Sequence, residues 1–420
     1  MNLLRKQMVN KEFIFLNGFL LLFLFLVMYF SPFRPTSELL LFSPDSLTYF
    51  HTGGEFFHLS ETGDSIIRPF FYSSFLRLFY ELGGAWLVVI LQSLFWVISA
   101  NLIFYGVKSV SNRLFVRLIA IALFVANISL ITYIFHGLTE LMTVLLLAIA
   151  VYLTCKTFKN GADVKYWLKM ALIFCLLTVV KPLFQYPALF ILLVGLIRYH
   201  KELWRDKKLI AYVFLAVAPL LLQLFVMNYK YGITRVSTID KLTYDTYFIA
   251  QGIREIKGIE DVAESQHMAQ TMTQEEKRAF LMENKQLYFK LFIYNVERNA
   301  SGDGSHFITP PGYNTQSYLS YMHRFNNKLY TISKAFLLLF MAISFIDLLT
   351  WKWFRYWQQL AIGLLLYYIV FASGISYWQG DRLVIFSIPL WITLYILLSY
   401  RVVNANFANK PFSKKKVKQA

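Results

Sequence analysis

Long apolar runs dominate the chain. They lie near 13–31, 85–106, 115–135, 138–155, 166–181, 183–198, 209–228, 332–350, 357–373 and 384–400. Each approaches the ~20 residues that carry a helix across a bilayer. The pattern predicts an all-α polytopic membrane protein with about ten transmembrane helices. Runs 138–155 and 183–198 begin almost where the preceding run ends, which predicts tight hairpins. Two longer segments, 31–84 and 229–328, interrupt the apolar pattern on one side. In the first, Phe70, Phe71, Ser74, Phe75, Leu78, Phe79 and Leu82 recur at helical spacing, with Arg77 and Glu81 off the stripe. That is the signature of an interfacial helix leading into the second span. In the second, Thr273 and Glu276 have capping-box spacing and open a predicted helix over Thr273–Asn299. The whole reads as a single transmembrane domain over 1–400 and a basic tail over 401–420.

Composition supports this reading. Hydrophobic residues make up 57% of the chain and charged residues 15%, against roughly 25% charged in a soluble domain. Lipid is therefore the solvent for much of the surface. Ser31-Pro32-Phe33-Arg34-Pro35 follows the first run with no small-residue cleavage site, so that run reads as a retained span. Cys155 and Cys175 lie in or beside apolar runs and offer neither a disulfide framework nor zinc spacing.

The net charge of +17 invites a nucleic-acid reading, but its distribution excludes one. With the N-terminus in the cytoplasm and ten alternating spans, more than half of the 41 basic residues fall in inside segments. Only Glu12, Asp163, Glu202 and Asp206 oppose them there. This is the positive-inside pattern. It places both termini in the cytoplasm and suits an anionic leaflet. Asp347, within the eighth run, sits near its inner end, within reach of water.

The unusual polar motifs then share the outer face. Ser43-Pro44-Asp45 reads as a helix start, with Ser43 as cap and Asp45 facing the positive helix end. It reads equally as a carboxylate placed to activate an acceptor or bind a metal. Arg68-Pro69 opens the interfacial helix, where Arg68 either snorkels to lipid phosphates or clamps a substrate phosphate. Glu140 starts an otherwise uncharged helix after His136-Gly137. The helix dipole explains it, yet a carboxylate at the edge of hydrocarbon is a functional candidate. Lys181-Pro182 breaks an apolar stretch; proline explains the break but not the lysine. Gly380-Asp381-Arg382 precedes the last run, and Arg382 either pairs with Asp381 or meets an anion in an outer cavity.

The order of these motifs resembles the glycosyltransferase-C superfamily, and most closely the bacterial relatives of dolichyl-phosphate-mannose protein mannosyltransferases. The resemblance rests on Pro44-Asp45-Ser46 with Tyr49, Arg68-Pro69, Thr139-Glu140-Leu141, and Lys181-Pro182 with Pro187. It also rests on Asn228-Tyr229 with Gly232 and Ser237-Thr238, and on Gly380-Asp381-Arg382 with Pro389. The chain departs from the family at Ser46, where a second acid often stands, and at Arg68, which replaces a lysine. The resemblance implies transfer of a sugar from a polyprenyl-phosphate-linked donor to an envelope glycan, lipid or protein acceptor at the outer face of the cytoplasmic membrane, with inversion. Asp45 would be the general base. Arg68, Arg382 and Lys181 would bind the donor phosphate. Glu140 would orient the acceptor or share a divalent metal with Asp45. The rivals are an O-antigen-type polymerase or ligase, a lipid or solute transporter, and a noncatalytic assembly subunit. A polymerase or ligase predicts large outer loops rich in Arg and His, and His306 and His323 are too sparse to decide. A transporter predicts inverted repeats and charges near the bilayer midplane, and the sequence has neither.

Overall fold

The computed structural model describes residues 2–59, 62–301, 356–377, 379–380 and 382–403, together with 328, 332, 334–335, 338–347 and 349–350. Asp381, His306, His323 and tail residues 404–420 lie outside them. The described elements are helices, and the described parts of the apolar runs fall mostly on them. Six are long and apolar enough to cross a membrane: Lys11–Phe30, Phe70–Val110, Glu140–Phe158, Pro182–Arg205, Lys207–Tyr231 and Trp357–Ile375. A seventh span forms if Leu114–Val125 and Ile128–Phe135, which meet at 55°, count as one. The remaining runs lie on shorter helices: Val164–Val180, Leu338–Asp347 and Ile388–Ser399. Six or seven spans are thus found among the described residues, against the ten expected; the other runs lie on helices shorter than a full span.

The helix beginning at Glu140 is the core. Leu141, Val144, Leu147 and Ala148 are fully or almost fully buried, because the helix packs against Phe70–Val110, Val164–Val180 and Ile388–Val403. The peripheral helices Gln185–Arg205 and Lys207–Tyr231 instead expose Phe190, Ile197, Phe214 and Phe225. Such continuous apolar faces belong against lipid.

The helix predicted to open at Arg68-Pro69 is present. Phe70–Val110 contains non-helical backbone at Gly83 and Gly84, where φ at Gly84 is +63°. Glycine adopts that angle without a Cβ clash, so the amphipathic first part can turn into the span. The predicted helix over Thr273–Asn299 is instead two helices, Gln274–Glu283 and Lys285–Ser301, broken at Asn284. Its capping box is present, with Thr273 and Glu276 each satisfying the other's backbone N–H. These helices join Ile249–Lys257 and Val262–Thr271 in a small unit with its own core of Phe248, Ile249, Ile253, Ala269 and Tyr288. Asn295 and Asn299 dock the unit by donating to the carbonyls of Gly374, Ser373 and Ser376.

Two groups of polar contacts between distant segments stand out. At one end of the bundle, Glu12 accepts from Lys108 at 2.6 Å and from Arg117 at 3.1 Å, and Gln358 donates to Thr157. Arg401 pairs with both oxygens of Asp347. Asp347 is therefore a buried, paired carboxylate, not one that reaches water. The other group involves Asp45, Arg68, Glu140, Lys181 and Arg382.

Candidate functional site

Each of these five residues sits at the edge of a helix. Asp45 follows Pro44 at the start of Pro44–Phe56; Ser43 occupies the cap position, but its hydroxyl makes no capping bond. Arg68 precedes Pro69, the residue before Phe70–Val110. Glu140 begins its helix, Lys181 ends Val164–Val180, and Arg382 begins the short helix Arg382–Ile385. Helix ends are where polar chains can leave an apolar bundle, and here five ends meet.

The contacts form one chain of charges. Asp45 Oδ1 accepts from Arg68, and Asp45 Oδ2 lies 2.7 Å from Arg382 Nη2. Arg382 Nε donates to Glu140 Oε1 at 3.0 Å, and Lys181 Nζ reaches the same oxygen at 3.3 Å. Arg68 also donates to Thr48 Oγ1 at 3.0 Å and lies over the Tyr49 ring. Lys181 lies 4.3 Å from the centre of the Phe386 ring. Burial alone would push the Asp45 carboxyl up. The Arg68 and Arg382 guanidiniums outweigh it and hold Asp45 well below the usual carboxylate range, as opposite charges at this distance should.

Above the chain of charges lies a cavity of about 550 Å³, within the range of small-molecule sites. Asp45, Arg68, Lys181 and Arg382 line it, as do Arg235, Lys241, Tyr186, Tyr244 and Tyr247. Glu140 is fully buried behind Arg382 and does not line it. Sequence reasoning missed the second group of lining residues. For Arg235, Lys241, Tyr244 and Tyr247 the nearby sequence signals were Gly232 and Ser237-Thr238. Ser237 Oγ donates to the carbonyl of Ile67 at 2.5 Å, and Thr238 N donates to that of Ile66 at 3.0 Å. Gln223 links the same segments, accepting from Phe70 N and donating to the Val236 carbonyl. The stretch after Gly232 is thus strapped to the backbone that carries Arg68, and the next turns, Ile239–Leu242 and Thr243–Phe248, form a cavity wall.

No family model matches the sequence, and no curated protein matches it. Among solved structures, ArnT from Cupriavidus metallidurans bound to undecaprenyl phosphate is similar, with 11% identity over 93% of this chain and 80% of that one and a TM-score of 0.37. A match that loose assigns neither an activity nor a residue.

A second buried carboxylate braces the site from outside. Glu55 Oε2 accepts from Lys230 Nζ at 2.6 Å and from Ser65 and Tyr231, while Oε1 accepts from Thr62. Burial raises the Glu55 pKa, but Lys230 and these hydroxyls bring it down to about 2. The brace joins the end of Pro44–Phe56 to the end of Lys207–Tyr231. Gly53 in the same helix allows a close approach to Phe70–Val110: a Cβ there would lie 2.3 Å from the Ser73 carbonyl oxygen.

The residues do not fit a divalent metal shared by Asp45 and Glu140. Arg382 already bridges the two carboxylates, and both Asp45 oxygens face guanidiniums. Among the described residues no group of three acidic, histidine or cysteine side chains is placed to complete a coordination shell.

Proposed function

We propose that this protein is a membrane glycosyltransferase that moves a sugar from a polyprenyl-phosphate-linked donor to an envelope acceptor. One observation carries the reading: a carboxylate, Asp45, faces a cavity between two guanidiniums, Arg68 and Arg382, with Lys181 beside them. That is the equipment for a displacement at a sugar carbon bonded to phosphate. The acceptor oxygen attacks the anomeric carbon, the carbon–oxygen bond to phosphate breaks, and the phosphate leaves with the electron pair. Arg68, Arg382 and Lys181 stabilise the charge that grows on it. Asp45 takes the acceptor's proton. A single in-line displacement of this kind inverts the anomeric centre.

The ion pairs add a condition. Held by two guanidiniums, Asp45 is a weak base. A donor phosphate competes for the same guanidiniums, and as they turn towards it the Asp45 carboxylate loses its partners and becomes more basic. Base strength and donor binding are coupled in this scheme. Glu140, behind Arg382, acts as a positioning residue that orients Arg382 and Lys181, rather than as a second metal ligand.

Sidedness follows from charge. The positive-inside rule puts the end carrying Lys108, Arg117 and Arg401 in the cytoplasm, and hence the Asp45 cavity at the outer face. The decisive experiment combines reconstitution with a panel of polyprenyl-phosphate sugars and mass spectrometry of lipids and glycans from cells with and without the protein. Release of polyprenyl phosphate and a glycan missing from the deficient cells are expected. If no donor turns over while a lipid or solute crosses reconstituted vesicles, the protein is a transporter and the proposal fails.

A further inference from the structure

Five cations line the cavity among the described residues, and they fall into two sets. Arg68, Lys181 and Arg382 at the inner end are paired with Asp45 and Glu140. Three positive charges against two negative ones leave an excess of one, which matches the single charge of a sugar phosphodiester. Arg235 and Lys241 are different. Both are exposed, both line the cavity, and neither makes an ion pair among the described residues. Asp240 is the one carboxylate beside them on the lining. This outer set also has an excess of one, and the donor's phosphate is already matched further in. Tyr186, Tyr244 and Tyr247 also line the cavity, and aromatic side chains are common in sites for small ligands.

We infer that Arg235 and Lys241 form an acceptor subsite that selects saccharides carrying a negative charge, a uronate or a phosphate. This rests on the glycosyltransferase reading and narrows it. The tyrosine rings pack on the apolar face of the sugar, while Arg235, as a planar fork, and Lys241, as a point charge, engage the anionic group. The acceptor's hydroxyl is then directed inward, towards Asp45. Because both cations are exposed, their pull on the ligand weakens as salt screens it.

The test measures binding without turnover. Fluorescently labelled trisaccharides ending in glucuronate, glucose 6-phosphate or glucose are titrated by anisotropy into the full-length protein in neutral detergent. The two charged probes are expected to bind about tenfold more tightly than the neutral one, about 1.4 kcal/mol, with the difference shrinking at high salt. The Arg235→Gln/Lys241→Gln variant should lose the difference and keep the neutral affinity. The single variants repeat the test if the double variant does not fold. Equal binding of neutral and charged probes, or a preference that survives the double variant, overturns the inference. So does displacement of the charged probes by phosphatidylglycerol but not phosphatidylcholine in mixed micelles, which assigns the cations to a lipid headgroup. The result is independent of donor turnover: a charge preference without transfer leaves this subsite standing while the glycosyltransferase reading fails.

Discussion

Arg382 donates to Glu140 at 3.0 Å across 242 residues of sequence, and the same guanidinium lies 2.7 Å from Asp45. One side chain thus joins two carboxylates, one from the start of Pro44–Phe56 and one from the central helix. A guanidinium can do this because its donors point in several fixed directions.

Arg382→Lys should therefore behave as a loss rather than a conservative change. An ammonium engages one carboxylate well but not both in this geometry. Removing one donor from a charge-stabilising site costs about 10²–10³ in turnover, and that is the fall expected for Arg382→Lys. Leaving a buried carboxylate short of a partner should also cost about 3–5 kcal/mol. Transfer assays and thermal melts of the purified variant check both, and near-normal turnover would remove Arg382 from phosphate binding.

Asp45→Asn removes the proposed base and also the partner of Arg68. Turnover should be abolished and the melting temperature should fall. Adding Arg68→Gln should restore part of the stability, because the unpaired buried cation is gone, but none of the activity. A double-mutant cycle on melting free energies measures the coupling. Turnover surviving in Asp45→Asn would show that another group takes the proton.

Gly53→Ala places a methyl group against the Ser73 carbonyl and the Arg77 side chain. Overpacking of this kind costs about 1–3 kcal/mol. Because the contact sets the distance between the Asp45 helix and the helix that follows Arg68, KM for the donor should rise along with the loss of stability. A melting scan together with donor titration tests this, and unchanged values for both would show that the helices separate freely.

Glu55 gives a pH signature. Its folded pKa of about 2 lies below the ordinary value of 4.5. Its stabilising contribution is thus fully present above about pH 4.5 and is lost as pH falls from there towards 2. Glu55→Gln should destabilise the protein clearly at pH 7 and much less at pH 3. Melting curves of both proteins at the two pH values decide it, and a gap that is the same at both would exclude Glu55 from the acid response.

Sidedness can be tested by cysteine labelling, since Cys155 and Cys175 are buried and give little background. A cysteine at exposed Lys165 should resist an impermeant reagent in intact cells, and one at exposed Glu283 should react. The reverse pattern would place the Asp45 cavity in the cytoplasm.

The sequence by itself determined the helices and the inner site. Apolar runs of near-spanning length have few alternatives to helix in lipid, since every backbone polar group must be satisfied internally. Charges at the edges of such runs are conspicuous because each is costly, so Asp45, Arg68, Glu140, Lys181 and Arg382 could be singled out before their contacts were visible. Tertiary structure decided which of them pair with which, and that Glu140 lies behind the cavity rather than in it. It also moved Asp347 from water to Arg401 and broke the helix expected over Thr273–Asn299 at Asn284. Arg235, Lys241 and the Glu55–Lys230 brace could not be read in the sequence for the opposite reason. They lie in polar stretches where charge is cheap and ordinary; only folding pairs Glu55 with Lys230, and only the strapping of the stretch after Gly232 onto the Arg68 backbone brings Arg235 and Lys241 to the cavity.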